Sequence, residues 1–247
     1  MENFFESSDT IGNGFGFSHF SGLHLMWIAL FLVATVIMCI VYKKSDDKKR
    51  KRIRLILAAL LIADEIFKIV GLASHGNYTP SYLPLHLCSI NIFVIALHSA
   101  HPTKTLSNFL YTVCIPASIA ALLFPTWTKL PLANFMHIHS FTVHILLALY
   151  PIMITYAGEV KPKLKDLPQT LLLLLDFAAV ALLTNLIFDT NFMFFASASK
   201  GNPLYYFEQA FGSHLIGYPV LIAAVLLVMY LPVVIKDKIK AKKVAKA

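Results

Sequence analysis

Charge is scarce in this chain. Only 14% of its 247 residues are Asp, Glu, Lys or Arg, while 57% are hydrophobic. Soluble domains carry about 25% charged residues, so this composition argues against a water-facing globule and for a polytopic helical membrane protein. Cysteine is equally sparse. Cys39, Cys88 and Cys114 each lie inside an apolar run, and an odd number so placed excludes a disulfide framework and predicts three thiols. The compact signatures of soluble enzymes are missing: there is no Walker loop, GxGxxG, GxSxG, HExxH or CxxC. Basic and aromatic residues are not interleaved, so the net charge of +8 does not indicate a nucleic-acid partner. No internal repeat and no stretch suited to a soluble domain is present.

What is there instead is a series of apolar runs. A spanning helix needs about 20 mostly apolar residues, and seven runs qualify: 21–42, 55–73, 83–100, 105–124, 136–157, 168–188 and 215–235. The expected fold class is therefore an all-α integral membrane protein, a single bundle of about seven transmembrane helices over 21–235. Residues 1–20, with Phe4, Phe5, Phe15, Phe17 and Phe20 among Gly, Ser and Asn, are too polar to span. They lack the basic start of a cleaved signal and are expected to form an external arm, interfacial or loosely ordered. Residues 236–247 read as a basic tail. Of the 21 lysines and arginines, all but Lys68, Lys129 and Lys200 fall in the connections at 43–54, 101–104 and 158–167 or in that tail. The positive-inside rule then puts the N-terminus outside and the C-terminus in the cytoplasm, in a cell membrane crossed several times.

Polar side chains inside apolar helices are costly and normally face a cavity or a partner. Most of them fall on the outer halves of the second, third, fifth and sixth runs. The second run carries Asp64, Glu65 and Lys68, and either carboxylate could pair with the lysine (i, i+4 or i, i+3). The third opens with Leu83-Pro84-Leu85-His86-Leu87-Cys88-Ser89-Ile90-Asn91, which sets a proline, a histidine, a thiol and an amide at its entrance. Counted at about 1.5 Å per residue, Cys88 lies some 7–8 Å below the outer end of that run, and His144 lies roughly 12 Å into the fifth. His137, Ser140 and His144 share one helix face. Asn185 and Asp189 sit near the outer end of the sixth. Asp176 and His98 are the main polar groups of the inner half. Cys39 and Cys114 read as structural, and Pro116 predicts a kink in the fourth run.

A thiol becomes a nucleophile when a base takes its proton, and an imidazole is the common activator. Cys88 and His144 lie at similar depth on helices that run the same way, which permits such a pair. Asn91, Thr142 and Asn185 are candidate donors to an oxyanion. Metal chemistry is the rival: His86, His137, His139, His144, Asp64 and Glu65 could supply ligands, although no metal-binding spacing is present.

The Leu83–Ile90 stretch resembles the signature of the YwaF-like bacterial integral membrane proteins. Thr184-Asn185, Asp189-Thr190-Asn191-Phe192-Met193-Phe194, Asn202-Pro203 and Phe211-Gly212 resemble that family's second conserved region. Ser213–Tyr218 stands where the family often has a Trp-Pro-Trp-Tyr-like run. The family is similar to the transmembrane protein 164 group and, through it, to the androgen-induced membrane hydrolases. That resemblance implies a lipid-acyl enzyme with Cys88 at the nucleophile position and His144 at the base position.

The leading expectation is a lipid acyl-transfer or acyl-hydrolysis enzyme. Cys88 and His144 would be catalytic, and His86, Asn91, His137, Asn185, Asp64, Glu65 and Lys68 would bind substrate in an outward-facing pocket. No cofactor and no metal is expected. Membrane lipids are both the environment and the expected substrate. The alternative is a transporter or lipid-binding protein that uses Asp64, Glu65 and Lys68 as a relay, though no pair of broken helices supports it. A zinc-dependent membrane hydrolase is the weaker alternative.

Overall fold

The computed structural model describes residues 4–7, 10–12, 14–198 and 200–244. Among them there are helices and turns and no strand. Each of the seven apolar runs is helical. The helices are α1 (Gly22–Lys44), α2 (Asp47–Ser74), α3 (Leu87–Ala100), α4 (Lys104–Phe109) continuing into α5 (Ile115–Leu123), α6 (Phe135–Tyr156), α7 (Leu167–Phe188), α8 (Pro203–Phe211) and α9 (Gly217–Val244). Five stretches are long and apolar enough to cross a membrane: Gly22–Lys44, Lys104–Leu123, Phe135–Tyr156, Leu164–Phe188 and His214–Lys236. The α2 helix is long but carries its charges along its length, and α3 has only 14 residues.

Several boundaries move from where the apolar runs place them, each for a local reason. The basic stretch from Lys48 to Arg54 is not a loop but the first two turns of α2. Asp46 caps that helix by accepting the Lys49 amide at 2.8 Å, and Lys and Arg are good helix formers. At the other end of the chain α9 runs through the basic tail to Val244, because no breaker follows Pro232; residues 245–247 lie outside the described set. The third helix starts at Leu87 rather than Leu83. Pro84 disfavours helical backbone at the residue before it, and Leu83 is extended at φ −54°, ψ 144°. Cys88 is consequently in the first turn of α3, not one turn or more down it. Between α4 and α5 the backbone widens into a π-helical turn at Leu110–Cys114. This is the form the Pro116 disturbance takes, since the ring of a proline clashes with the carbonyl four residues back.

At the centre of the bundle is α6, which packs against α1, α2, α3 and α5. Phe141, Leu147, Ala148, Tyr150, Met153 and Ile154 on it are fully buried. The main core joins Leu147, Tyr150, Met153 and Ile154 to Tyr42, Leu61, Ile92, Ile95, Phe109 and Leu110, while Phe141 and Ala148 pack with Trp27, Phe31 and Leu122 in a second cluster. By contrast α7 and α9 lie on the outside, with most of their apolar side chains uncovered.

The described residues of the arm pack on the bundle. The arm's backbone bonds to the bundle where the Phe135 amide meets the Phe4 carbonyl (2.7 Å) and the Phe17 amide meets that of Thr128 (2.8 Å). Phe5 stacks on His75 and lies over Gly71, where an added Cβ would come within 2.8 Å of its ring. Aromatic side chains that can bury against neighbours repay the ordering of such a segment.

Candidate functional site

The candidate site is built where α2, α3 and α6 meet near their arm-side ends, under the 124–134 connection. On α2, Lys68 and Glu65 are buried together with Nζ and Oε1 2.6 Å apart. The second glutamate oxygen, Oε2, is buried with no partner. Of the two pairings open to Lys68, the structure contains the i, i+3 one. Asp64 instead faces α6, its Oδ2 2.8 Å from His139 Nδ1. Those two atoms lack the alignment of a hydrogen bond, so the contact is one of proximity and charge.

On α3, His86 holds the N-cap position. Its ring meets Phe192 edge-on at 5.1 Å and lies near Phe194. Cys88 is half-buried against the main core and within the electrostatic reach of Lys68 and Glu65. Cys88 lies in the first turn of α3, at the positive end of the helix dipole. Asn91 is three residues further on, hence on the same face. It is 0% exposed, and neither its amide nitrogen nor its amide oxygen has a partner.

On α6, the cap comes from Asn134, which accepts the His137 amide at 3.2 Å. His144 bonds through Nδ1 to the Ser140 carbonyl at 2.6 Å. That carbonyl can only accept, so Nδ1 is the protonated nitrogen of the neutral ring and Nε2 carries the lone pair. Trp127 lies flat on His144, with ring centroids 5.2 Å apart, and its own indole N–H is buried without an acceptor. His86 and His139 both act electrostatically on His144. No hydrogen bond joins His144 to Cys88.

Two residues expected to bind substrate have their polar atoms engaged elsewhere. His137 accepts from the Trp27 indole at 3.0 Å and donates to the Leu130 carbonyl at 3.0 Å, which pins α6 to α1 and to the connection before it. Asn185 donates to the Phe192 carbonyl and accepts from the Phe192 amide and the Thr190 hydroxyl. Its task is to hold the turn that presses Phe192 against His86. The remaining expected residues, Asp64, Glu65, Lys68, His86, Cys88, Asn91 and His144, sit on the three helices at the arm-side end. Trp127 was not anticipated; as one of only two tryptophans, beside an apolar helix that carries three histidines, it offered the signal. Among the described residues, no three His, Cys, Asp or Glu side chains converge as metal ligands. Cys114 donates its thiol to the Leu147 carbonyl at 3.3 Å, a packing role.

The arrangement therefore offers a half-buried thiol at a helix start, an imidazole whose Nε2 is free to accept a proton, and buried polar atoms without protein partners. A family model, that of the TMEM164 family, matches residues 15–230. No curated protein and no solved structure matches the chain. With five apolar helices of spanning length, the match makes this a multi-pass membrane protein.

Proposed function

The chain belongs to the TMEM164 family, and on that footing we propose that it is a lipid acyl-transfer or acyl-hydrolysis enzyme of the YwaF-like bacterial group. It crosses the cell membrane seven times, with the arm outside and the end of α9 in the cytoplasm. The short α3 and the charged α2 complete the count as helices sheltered by α6. A reporter fused after Ala247 is expected to be active in the cytoplasm and one at the N-terminus outside; activity of an external reporter at the C-terminus overturns this topology.

Asn91 carries the catalytic reading. An amide buried with both polar atoms unpaired costs about 1–3 kcal/mol per group, and its place one turn from a thiol suits a donor to the oxygen of a reacting carbonyl. In the reaction, His144 Nε2 takes the Cys88 proton and the sulfur attacks the ester carbonyl carbon of a lipid. Negative charge passes to the carbonyl oxygen, which the Asn91 N–H₂ receives. The carbon–oxygen ester bond then breaks, the alcohol leaves with the proton held by His144, and the acyl group stays on sulfur as a thioester. A second alcohol, or water, gives its proton to His144 and attacks the thioester; the carbon–sulfur bond breaks, and the leaving sulfur takes that proton from His144, which restores the thiol. The two side chains must come within hydrogen-bond reach for the proton to pass, as catalytic hydrogen bonds often tighten only with substrate bound.

Lys68 lies within electrostatic reach of both His86 and Cys88, as one half of its ion pair with Glu65. The Glu65–Lys68 pair is closed on itself, which suits a fixed field better than a proton relay and weighs against the transport reading. The test is turnover of a fluorescent phospholipid by the purified protein in lipid vesicles. Wild type transfers or releases the acyl chain, and a thiol-directed lipid probe labels Cys88. Failure of both in fresh, folded protein sinks the reading.

A further inference from the structure

At the end of the bundle opposite Cys88 and His144, the connection after α3 and the loop between α6 and α7 enclose a cavity of about 380 Å³. Small-ligand sites run from about 300 to 1,000 Å³. The lining is held in place. Asn108 is buried and bonded to both Thr170 and Tyr230. Pro102 and Pro162 also line the cavity, and each ring fixes its own φ.

Four lysines border it: Lys104 from the connection, and Lys161, Lys163 and Lys165 from the loop. All four are exposed. Among the described residues, none of them forms an ion pair or a side-chain hydrogen bond. Two carboxylates share the lining, but they do not balance the lysines. Glu159 is taken by Arg54 at 2.8 Å and by Arg50 at 3.4 Å, so Asp166 alone is set against the four. Thr103 adds a donor: its hydroxyl accepts the Leu106 amide at 3.2 Å, which leaves the O–H free to donate.

Depth narrows the ligand. The spanning stretches Lys104–Leu123 and Leu164–Phe188 both begin at this cavity, which sets it at the level of the lipid head groups on the basic side. Phosphate is the anion that phospholipids carry at that level, and basic pockets between spanning helices on the cytoplasmic side bind such head groups. We propose that the cavity is a phosphate-binding site, filled by the head group of an anionic phospholipid. The bound phosphate ties the α3–α4 connection to the α6–α7 loop, and a ligand that binds only the folded chain stabilises it by mass action.

The test is thermal unfolding of the full chain in phosphatidylcholine nanodiscs, titrated with phosphatidylglycerol in the disc or with glycerol 3-phosphate in solution. The wild-type midpoint is expected to rise with phosphatidylglycerol and reach a plateau. Lys104→Gln, Lys161→Gln, Lys163→Gln and Lys165→Gln together are expected to weaken that response about tenfold or more. Lys44→Gln, Lys48→Gln, Lys51→Gln and Arg52→Gln together remove as many exposed charges from the same end without touching the lining, and are expected to leave the response within about twofold. Should the first variant already melt early in pure phosphatidylcholine, the pair Lys161→Gln and Lys163→Gln carries the comparison. A plateau with glycerol 3-phosphate alone keeps the phosphate site and assigns it to a soluble ester. No plateau with either ligand overturns the proposal, as does an equal loss in the two sets of variants, which reduces the effect to surface charge.

Discussion

The two ends of the bundle treat their buried polar groups in opposite ways. At the basic end nearly all are paired. Arg54 reaches both the Tyr42 hydroxyl (2.7 Å) and Glu159 (2.8 Å), and Arg50 reaches Glu159 from the other side. His98 joins Tyr150 to Ser107, and Thr112, Tyr230, Asn108 and Thr170 follow one another in a line of hydrogen bonds. Thr35 Oγ1, Arg54 Nε and Thr155 Oγ1 are the exceptions. At the arm-side end, Glu65 Oε2, both amide atoms of Asn91 and the Trp127 indole N–H are buried without partners. A protein holds buried polar groups unpaired only against a cost, and such groups concentrate where a ligand or reacting group completes them. On the function proposed above, the buried polar groups of the basic end are a fastening and the arm-side end holds the catalytic site.

The comparison breaks first on turnover. Cys88→Ala and His144→Ala are each expected to abolish acyl turnover of a fluorescent phospholipid and leave the melting transition in place, whereas Cys114→Ala preserves turnover. Survival of turnover in Cys88→Ala removes the thiol from the mechanism.

Lys68→Met tests whether the arm-side pair is also structural. Removing one partner of a buried ion pair costs roughly 3–5 kcal/mol, so thermal unfolding of the purified protein should fall sharply. Adding Glu65→Gln should restore part of it. An unchanged transition would mean that the lysine reaches the surface and the pair is not a buried one.

Asn91→Leu separates site from fastening most directly. It removes two unpaired groups from the core, so stability should hold or rise. Turnover should drop by about 10²–10³, the usual loss of an oxyanion donor. A variant that keeps full turnover places the oxyanion elsewhere.

The smallest effect is expected at the other end. Tyr150→Phe removes the hydroxyl from His98 and should cost about 1–3 kcal/mol in thermal stability with turnover intact. A large loss of turnover there would show the two ends to be coupled.

Much of this was legible in the residues. The seven apolar runs are all helical because length and continuous hydrophobicity leave little else for a chain in lipid. The i, i+3 pairing of Glu65 with Lys68 was one of two written on the helix. The entrance at Leu83–Asn91 could be singled out by its polar residues alone. Its geometry could not, because the effect of Pro84 on Leu83 shortened α3 and moved Cys88 to the first turn. The roles of His137 and Asn185 were hidden for another reason. A polar residue on an apolar helix looks the same whether it meets a substrate, a tryptophan on α1 or the backbone of a distant turn.

The sequence by itself determined the class of the protein and the approximate places of seven helical runs, since these follow from composition and from spacing along one chain. Which histidine keeps a free nitrogen, which carboxylate takes the lysine and which amide is left unpaired were decided only by the tertiary structure. Each depends on what a second helix brings within about 3 Å, and spacing along one helix says nothing of its neighbour.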